Sequence, residues 1–165
     1  MLIRSERPQD ARPIRSLTKA AFAGASHASG REYAIIDALR DDGALTLSLV
    51  LEAAEGICAH LCFSAVSVAG RSDGWFGLGP VSVAPHHQGQ GHGSHLLREG
   101  LGRLVRDHGA VGCVVLGDPA FYARFGFAPV PGLTFPGVPA EYFMALVFDG
   151  TAPQGEVRYH PAFYA

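Results

Sequence analysis

The sequence predicts an α/β fold in one domain, residues 1–165, on three observations. The length of 165 residues suits a single core, since two domains of half that size would each be short of buried surface. Hydrophobic residues make up 48% and charged residues 17%, which excludes a disordered chain. Third, strand-like segments flank a helical one between residues 76 and 116, the order of a βαβ unit with its two strands parallel.

The elements follow from local pattern. Leu2-Ile3-Arg4 predicts a first strand. Asp10 is placed to cap a helix carrying Ile14, Leu17, Ala21 and Phe22 at helical spacing. A second helix carries Tyr33, Ile36 and Leu39 and stops at Asp41-Asp42-Gly43. Leu45–Leu51 alternates as a strand, and Ile57–Val68 returns as a longer one, so the two form a hairpin. Phe76–Val83 is a third strand of this set. Pro80 lacks a ladder donor, so Gly79-Pro80 predicts a bulge or a parting of strands. A helix over Gly93–His108 has Leu97, Leu101, Leu104 and Val105 on one face and Gly109 as its stop. Val111–Leu116 is a buried strand. Pro119–Phe125 is a short helix with proline in its first turn. Pro129–Pro139 is a loop, Tyr142–Phe148 a late strand and Val157-Arg158-Tyr159 a last edge.

Charge and cysteine content narrow the function classes. The formal net charge is −2, with no basic cluster, so no nucleic-acid partner is expected. No apolar stretch reaches the ~18 residues of a membrane helix, and the N-terminus has no secretory pattern, so neither a membrane partner nor export is expected. Three cysteines, Cys58, Cys62 and Cys113, fit a reducing, cytoplasmic compartment.

The most informative segment is Gln88-Gly89-Gln90-Gly91-His92-Gly93, between a strand and a helix N-terminus. Alternating glycines let several N–H groups converge, and the helix end adds about half a positive charge. Together they suit a phosphate or pyrophosphate. The dinucleotide fingerprint G-x-G-x-x-G fails because Ser94 occupies its third place, and a Walker loop fails for want of Gly-Lys-Ser/Thr. Gln88-x-x-Gly91-x-Gly93 matches Q/R-x-x-G-x-G/A, and about thirty residues later stands Phe121-Tyr122-Ala123-Arg124-Phe125-Gly126-Phe127.

These two motifs, in this order, resemble the GNAT family of acyl-CoA-dependent N-acyltransferases. The stretches Val115–Tyr122 and Pro139–Met144 further resemble its YhbS-like subgroup. The resemblance implies a mixed six- to seven-stranded sheet with helices on both faces and with its fourth and fifth strands splayed. It implies acetyl-CoA as cosubstrate and the primary amine of a small molecule or peptide as acceptor. The backbone at Val81, Ser82 and Val83 would meet the pantetheine. Gln88, Gly89, Gln90, Gly91, His92, Gly93 and Ser94 would hold the pyrophosphate, with Phe121 against the cofactor and Arg124 reaching the nucleotide's 3′-phosphate. Tyr122 matches the tyrosine that protonates the departing sulfur, a transfer uphill by about 2 kcal/mol for an ordinary phenol and thiol. The base is open between His60 and Glu32, with Ser82 the polar residue that the fourth strand itself offers. The acceptor pocket is expected between Gly24–Arg31 and Pro129–Pro139. Members of the family are often dimers, so a homodimer through the late strands is an expectation of the same kind. The alternative is a non-catalytic CoA-binding module that keeps the glycine turn.

No metal is expected. Period two places Cys58, His60, Cys62 and Ser64 on one strand face, but same-side residues about 6–7 Å apart are too far for one tetrahedral ion. The histidines His86, His87, His92 and His95 have no carboxylate in their own segment.

Overall fold

A computed structural model describes all residues 1–165. Six strands form the main sheet in chain order: β1 (Leu2–Ser5), β2 (Leu47–Ala53), β3 (Gly56–Ala65), β4 (Trp75–Val83), β5 (Gly112–Leu116) and β6 (Phe143–Val147). Every neighbouring pair is antiparallel except β4–β5, which the helix α3 (His92–His108) connects as the expected parallel crossover.

Strand alternation feeds two cores. Leu49, Leu51, Leu61 and Phe63 point to one face and pack with Leu96, Leu97, Leu101 and Leu104 of α3. Val50 and Cys62 point to the other and pack with Ile14, Ile36 and Leu39, carried by α1 (Ala11–Phe22) and α2 (Glu32–Asp41). Helices therefore cover both faces. A third cluster, including Trp75, Val114, Phe143 and Tyr159, joins β5 and β6 to a small second sheet. No helix is long and apolar enough to cross a membrane.

Several boundaries differ from expectation for physical reasons. The main sheet has six strands, because Val157 and Arg158 do not extend it. They lie in Gly155–Arg158, the middle strand of the small sheet, between Ser67–Val68 and Leu133–Thr134. The strand expected over Ile57–Val68 breaks after Ala65, and Ser67–Val68 changes sheets. Asp10 does not cap α1 through its side chain. Its carboxylate accepts from the Arg4 guanidinium at 2.6 Å and from the Arg7 N–H at 2.7 Å, closing the turn that precedes the helix. The helix expected over Pro119–Phe125 is one α-helical turn, α4 (Pro119–Tyr122), that tightens into a 3-10 turn over Ala123–Phe125.

Candidate active site

The site starts from a failure of pairing. β4 and β5 are in register from Trp75↔Gly112 to Leu78↔Val115 and no further. Beyond Leu78 the fourth strand has no partner on that edge. Its pairing to β3 slips at Gly79-Pro80, the place where proline removes a ladder donor. The register then fixes which groups are free. Ala59 faces Val83, and the Ala84 N–H donates to the Cys58 carbonyl at 2.8 Å, so Val83 is a non-hydrogen-bonded pair. Its own N–H and C=O therefore point away from β3, into the gap, and the same alternation turns out Val81. The Val83 carbonyl indeed accepts from the Gln88 side-chain amide at 3.0 Å.

Ser82 is the correction on this strand. Its backbone belongs to the β3 ladder opposite His60, and its hydroxyl points to α1, donating to Thr18 Oγ1 at 3.3 Å. It is 1% exposed and offers nothing to the gap.

The glycine turn closes the far end of the gap. Gly89 and Gly91 have φ of +73° and +83°, a conformation that favours glycine. Gly91 is the N-cap of α3 and supplies no capping side chain. The first intrahelical bond runs from His95 N–H to the Gly91 carbonyl. The N–H groups of His92, Gly93 and Ser94 thus lie at a positive helix end. Arg124 adds a full charge there: its guanidinium donates to Ser94 Oγ at 2.7 Å and lies against the rings of Phe121 and Phe125.

Tyr122 is fixed at the opposite end of the gap. Asp118 caps α4, accepting from the Ala120 N–H at 3.0 Å. The Tyr122 ring packs onto the backbone of Gly117, where a Cβ would come within 2.4 Å of the ring, so no other residue fits. Phe121 and Phe127 meet the same ring edge-on. No protein group hydrogen-bonds its hydroxyl. Burial, with Cys113 and Asp118 nearby, pushes the phenol up to about 12.

An open strand edge, an anion-ready helix end and an anchored phenol thus lie along one gap. The model of the acetyltransferase (GNAT) domain matches residues 45–129, just over half of the chain and all of this gap. The chain belongs to the GNAT family of acetyltransferases. It is 41% identical over 128 residues to the uncharacterized N-acetyltransferase YhbS of Escherichia coli K12, covering 77% of this chain and 73% of that one. A GNAT acetyltransferase from Brucella melitensis, solved in complex with acetyl-CoA, is 49% identical. It superposes with a TM-score of 0.87 over 98% of this chain and 97% of its own. E. coli YhbS, solved with CoA, gives a TM-score of 0.90 at 35% identity, over 99% and 92% of the two chains. The protein is thus an acyl-CoA-dependent N-acetyltransferase, and the expected splay of the fourth and fifth strands is present.

The two candidate bases are not brought to Tyr122. His60 faces the α1/α2 side and is 0% exposed. Its Nε2 is 2.8 Å from Ser48 Oγ and 3.8 Å from the Glu6 carboxylate, while Nδ1 is buried without a partner. Burial depresses its pKa despite Glu6. Burial also opposes ionisation of Glu6, but His60, Arg40 and Ser48 outweigh it and hold that carboxyl at about 2. Glu32 sits at the start of α2 and accepts from the Ser29 N–H at 2.6 Å, so its carboxylate closes the turn that leads into the helix. It lines a separate cavity of about 250 Å³ with Lys19 and Tyr33.

The larger cavity, about 790 Å³, opens at the end of β5 against Gly117, the residue on which the Tyr122 ring packs. It is lined by His27, Leu116, Gly117, Asp118, Val138, Pro139 and Tyr142. His27, Val138 and Pro139 come from the two segments expected to shape an acceptor pocket. Asp118 and Tyr142 were missed; Asp118 reads locally only as a cap for α4.

Two further corrections concern metal-ligating residues. A bulge opposite Leu51/Glu52 breaks the alternation of β3. Cys58 therefore packs toward α3 with Ala59 and Leu61, and Ile57 toward α1 and α2, so Cys58 shares no face with His60 and Cys62. The histidine segment, in turn, does acquire a carboxylate. Glu55, in the β2–β3 turn, has Oε1 2.7 Å from His87 Nε2.

Proposed function

We propose that the enzyme moves the acetyl group of acetyl-CoA to a primary amine of a small molecule or peptide, by direct attack through a tetrahedral intermediate. The observation that carries this reading is the free edge of β4 between an anion-ready helix end and Tyr122.

The pantetheine arm adds to β4 as a strand would, pairing with the Val81 and Val83 backbone. Gln88 gives up its bond to the Val83 carbonyl as the arm enters. The pyrophosphate takes the N–H groups from Gly89 to Ser94, with the Arg124 charge alongside. The thioester oxygen, as it becomes an oxyanion, meets the outward N–H of Val81. Tyr122 donates its proton to the departing sulfur. The amine approaches from the 790 Å³ cavity, where the Asp118 carboxylate attracts a cation and His27 is the titratable neighbour. The amine proton leaves to solvent through this open cavity rather than through His60, which no substrate can touch.

A thiol-release assay with acetyl-CoA and a panel of amines tests the reading. Amine-dependent release of CoA is the expected result. CoA binding without release under any amine would support the non-catalytic module instead.

A further inference from the structure

We propose that Glu55, His86 and His87 form a binding site for one divalent transition-metal ion of borderline softness, for which Zn²⁺ is the probe. One ligand atom from each of the three residues lies within 4.8 Å of the others. Two segments far apart in sequence build this cluster. Glu55 belongs to the β2–β3 turn, and the histidines to the tight turn Pro85–His87 that leads into Gln88.

The donor set selects the ion. Two imidazoles and one carboxylate suit zinc, nickel or copper and disfavour calcium and magnesium, which take oxygen ligands. Three protein ligands leave a fourth position open to water. The contacts already in place point the same way. His87 Nε2 holds the Glu55 carboxylate at 2.7 Å, and the two imidazoles lie 4.4 Å apart, centroid to centroid. A tetrahedral ion with bonds near 2.1 Å needs its donors roughly 3.4 Å apart, so the Glu55–His87 pair, at 2.7 Å, must open by roughly 0.7 Å, while any separation near the 4.8 Å limit must close by up to about 1.4 Å. Glu55 and His86 are exposed and free to do so, while His87 is buried and holds the site in place. Its Nδ1 is buried without a protein partner, as is Nε2 of His92, whose ring lies 5.5 Å from that of His87.

Calorimetric titration of the untagged full chain with ZnCl₂ tests the site. The expected result is one ion per chain with micromolar affinity, weakened roughly tenfold or more by Glu55→Gln and by His86→Gln. Both side chains are exposed, so both variants should fold. His95→Gln, on α3, should bind as the parent does. A parallel melting experiment should show Zn²⁺ raising the Tm of the parent but not of Glu55→Gln, and Mg²⁺ raising neither. No uptake of Zn²⁺, or uptake that both substitutions leave unchanged, would overturn the assignment.

Discussion

Tyr122 and His60 are both polar aromatic side chains held in apolar surroundings, yet they occupy opposite kinds of region. Tyr122 stands where two strands part, its ring packed on Gly117, which lines the 790 Å³ cavity, and its hydroxyl has no protein partner. His60 stands where three strands are fully paired, on the other face, against Ser48 and Glu6. Burial shifts both groups away from the charged form. Chemistry requires in addition a path for substrate, and only the broken pairing of β4 and β5 supplies one. A perturbed titratable group is therefore a pointer to function only when an opening accompanies it.

The comparison can be broken most forcefully at Tyr122. Tyr122→Phe should lower kcat by about 10²-fold or more while CoA affinity stays within about twofold. A variant with undiminished kcat would remove the proton donor from the account. Because the phenol is held at about 12, the parent's kcat should show no loss from tyrosine ionisation up to pH 10. A falling limb near the ordinary phenol value, absent in Tyr122→Phe, would contradict its burial.

Asp118→Ser sharpens the same side of the comparison. Serine keeps the cap on α4, so Tyr122 should stay in place while the carboxylate is lost. KM for the amine should rise about tenfold, from the lost attraction of roughly 1.4 kcal/mol, with CoA affinity unchanged.

The sealed region should answer in stability instead. Glu6→Gln leaves the Arg40 guanidinium with Asp37 alone as its charged partner and should cost about 1–3 kcal/mol, seen in denaturant melts. Its kcat per folded molecule should equal the parent's. Acid supplies a second probe. Glu6 titrates at about 2 in the folded chain against an ordinary 4.5, so its stabilisation is full above pH 4.5 and drains away as pH falls from there toward 2. The melting temperature of the parent should therefore fall more steeply over that window than that of Glu6→Gln. The smallest effect is expected at Glu32. Glu32→Gln should cost under about 1 kcal/mol through a weaker bond to the Ser29 N–H and leave kcat within about twofold.

The sequence made one of these regions legible and hid the other. Glycines at 89 and 91, proline at 80 and the Phe121-Tyr122 pair are local signals, because a turn, a broken ladder and an aromatic anchor each demand a residue type where it stands. The gap was legible for the same reason. The polar cluster was not, because Glu6, Arg40, Ser48 and His60 come from four separate segments and meet only through strand register. The pairing of Glu55 with His87 was hidden likewise, the two being 32 positions apart. Period-two reasoning misplaced Cys58 because a bulge adds one residue and flips the faces beyond it. Ser82 was misassigned on a different ground: its backbone pairs opposite His60 and its hydroxyl turns to Thr18, which only the register of β4 on β3 reveals.

Titration of ¹⁵N-labelled chain with CoA, followed by amide shifts, tests the central claim most directly. The largest changes should fall at Val81, Val83 and Gly89–Ser94, with smaller ones at Tyr122 and none at Ser48 or His60. Binding that moves the amides around Ser48 and His60 while those of Gly89–Ser94 stay still would contradict the account.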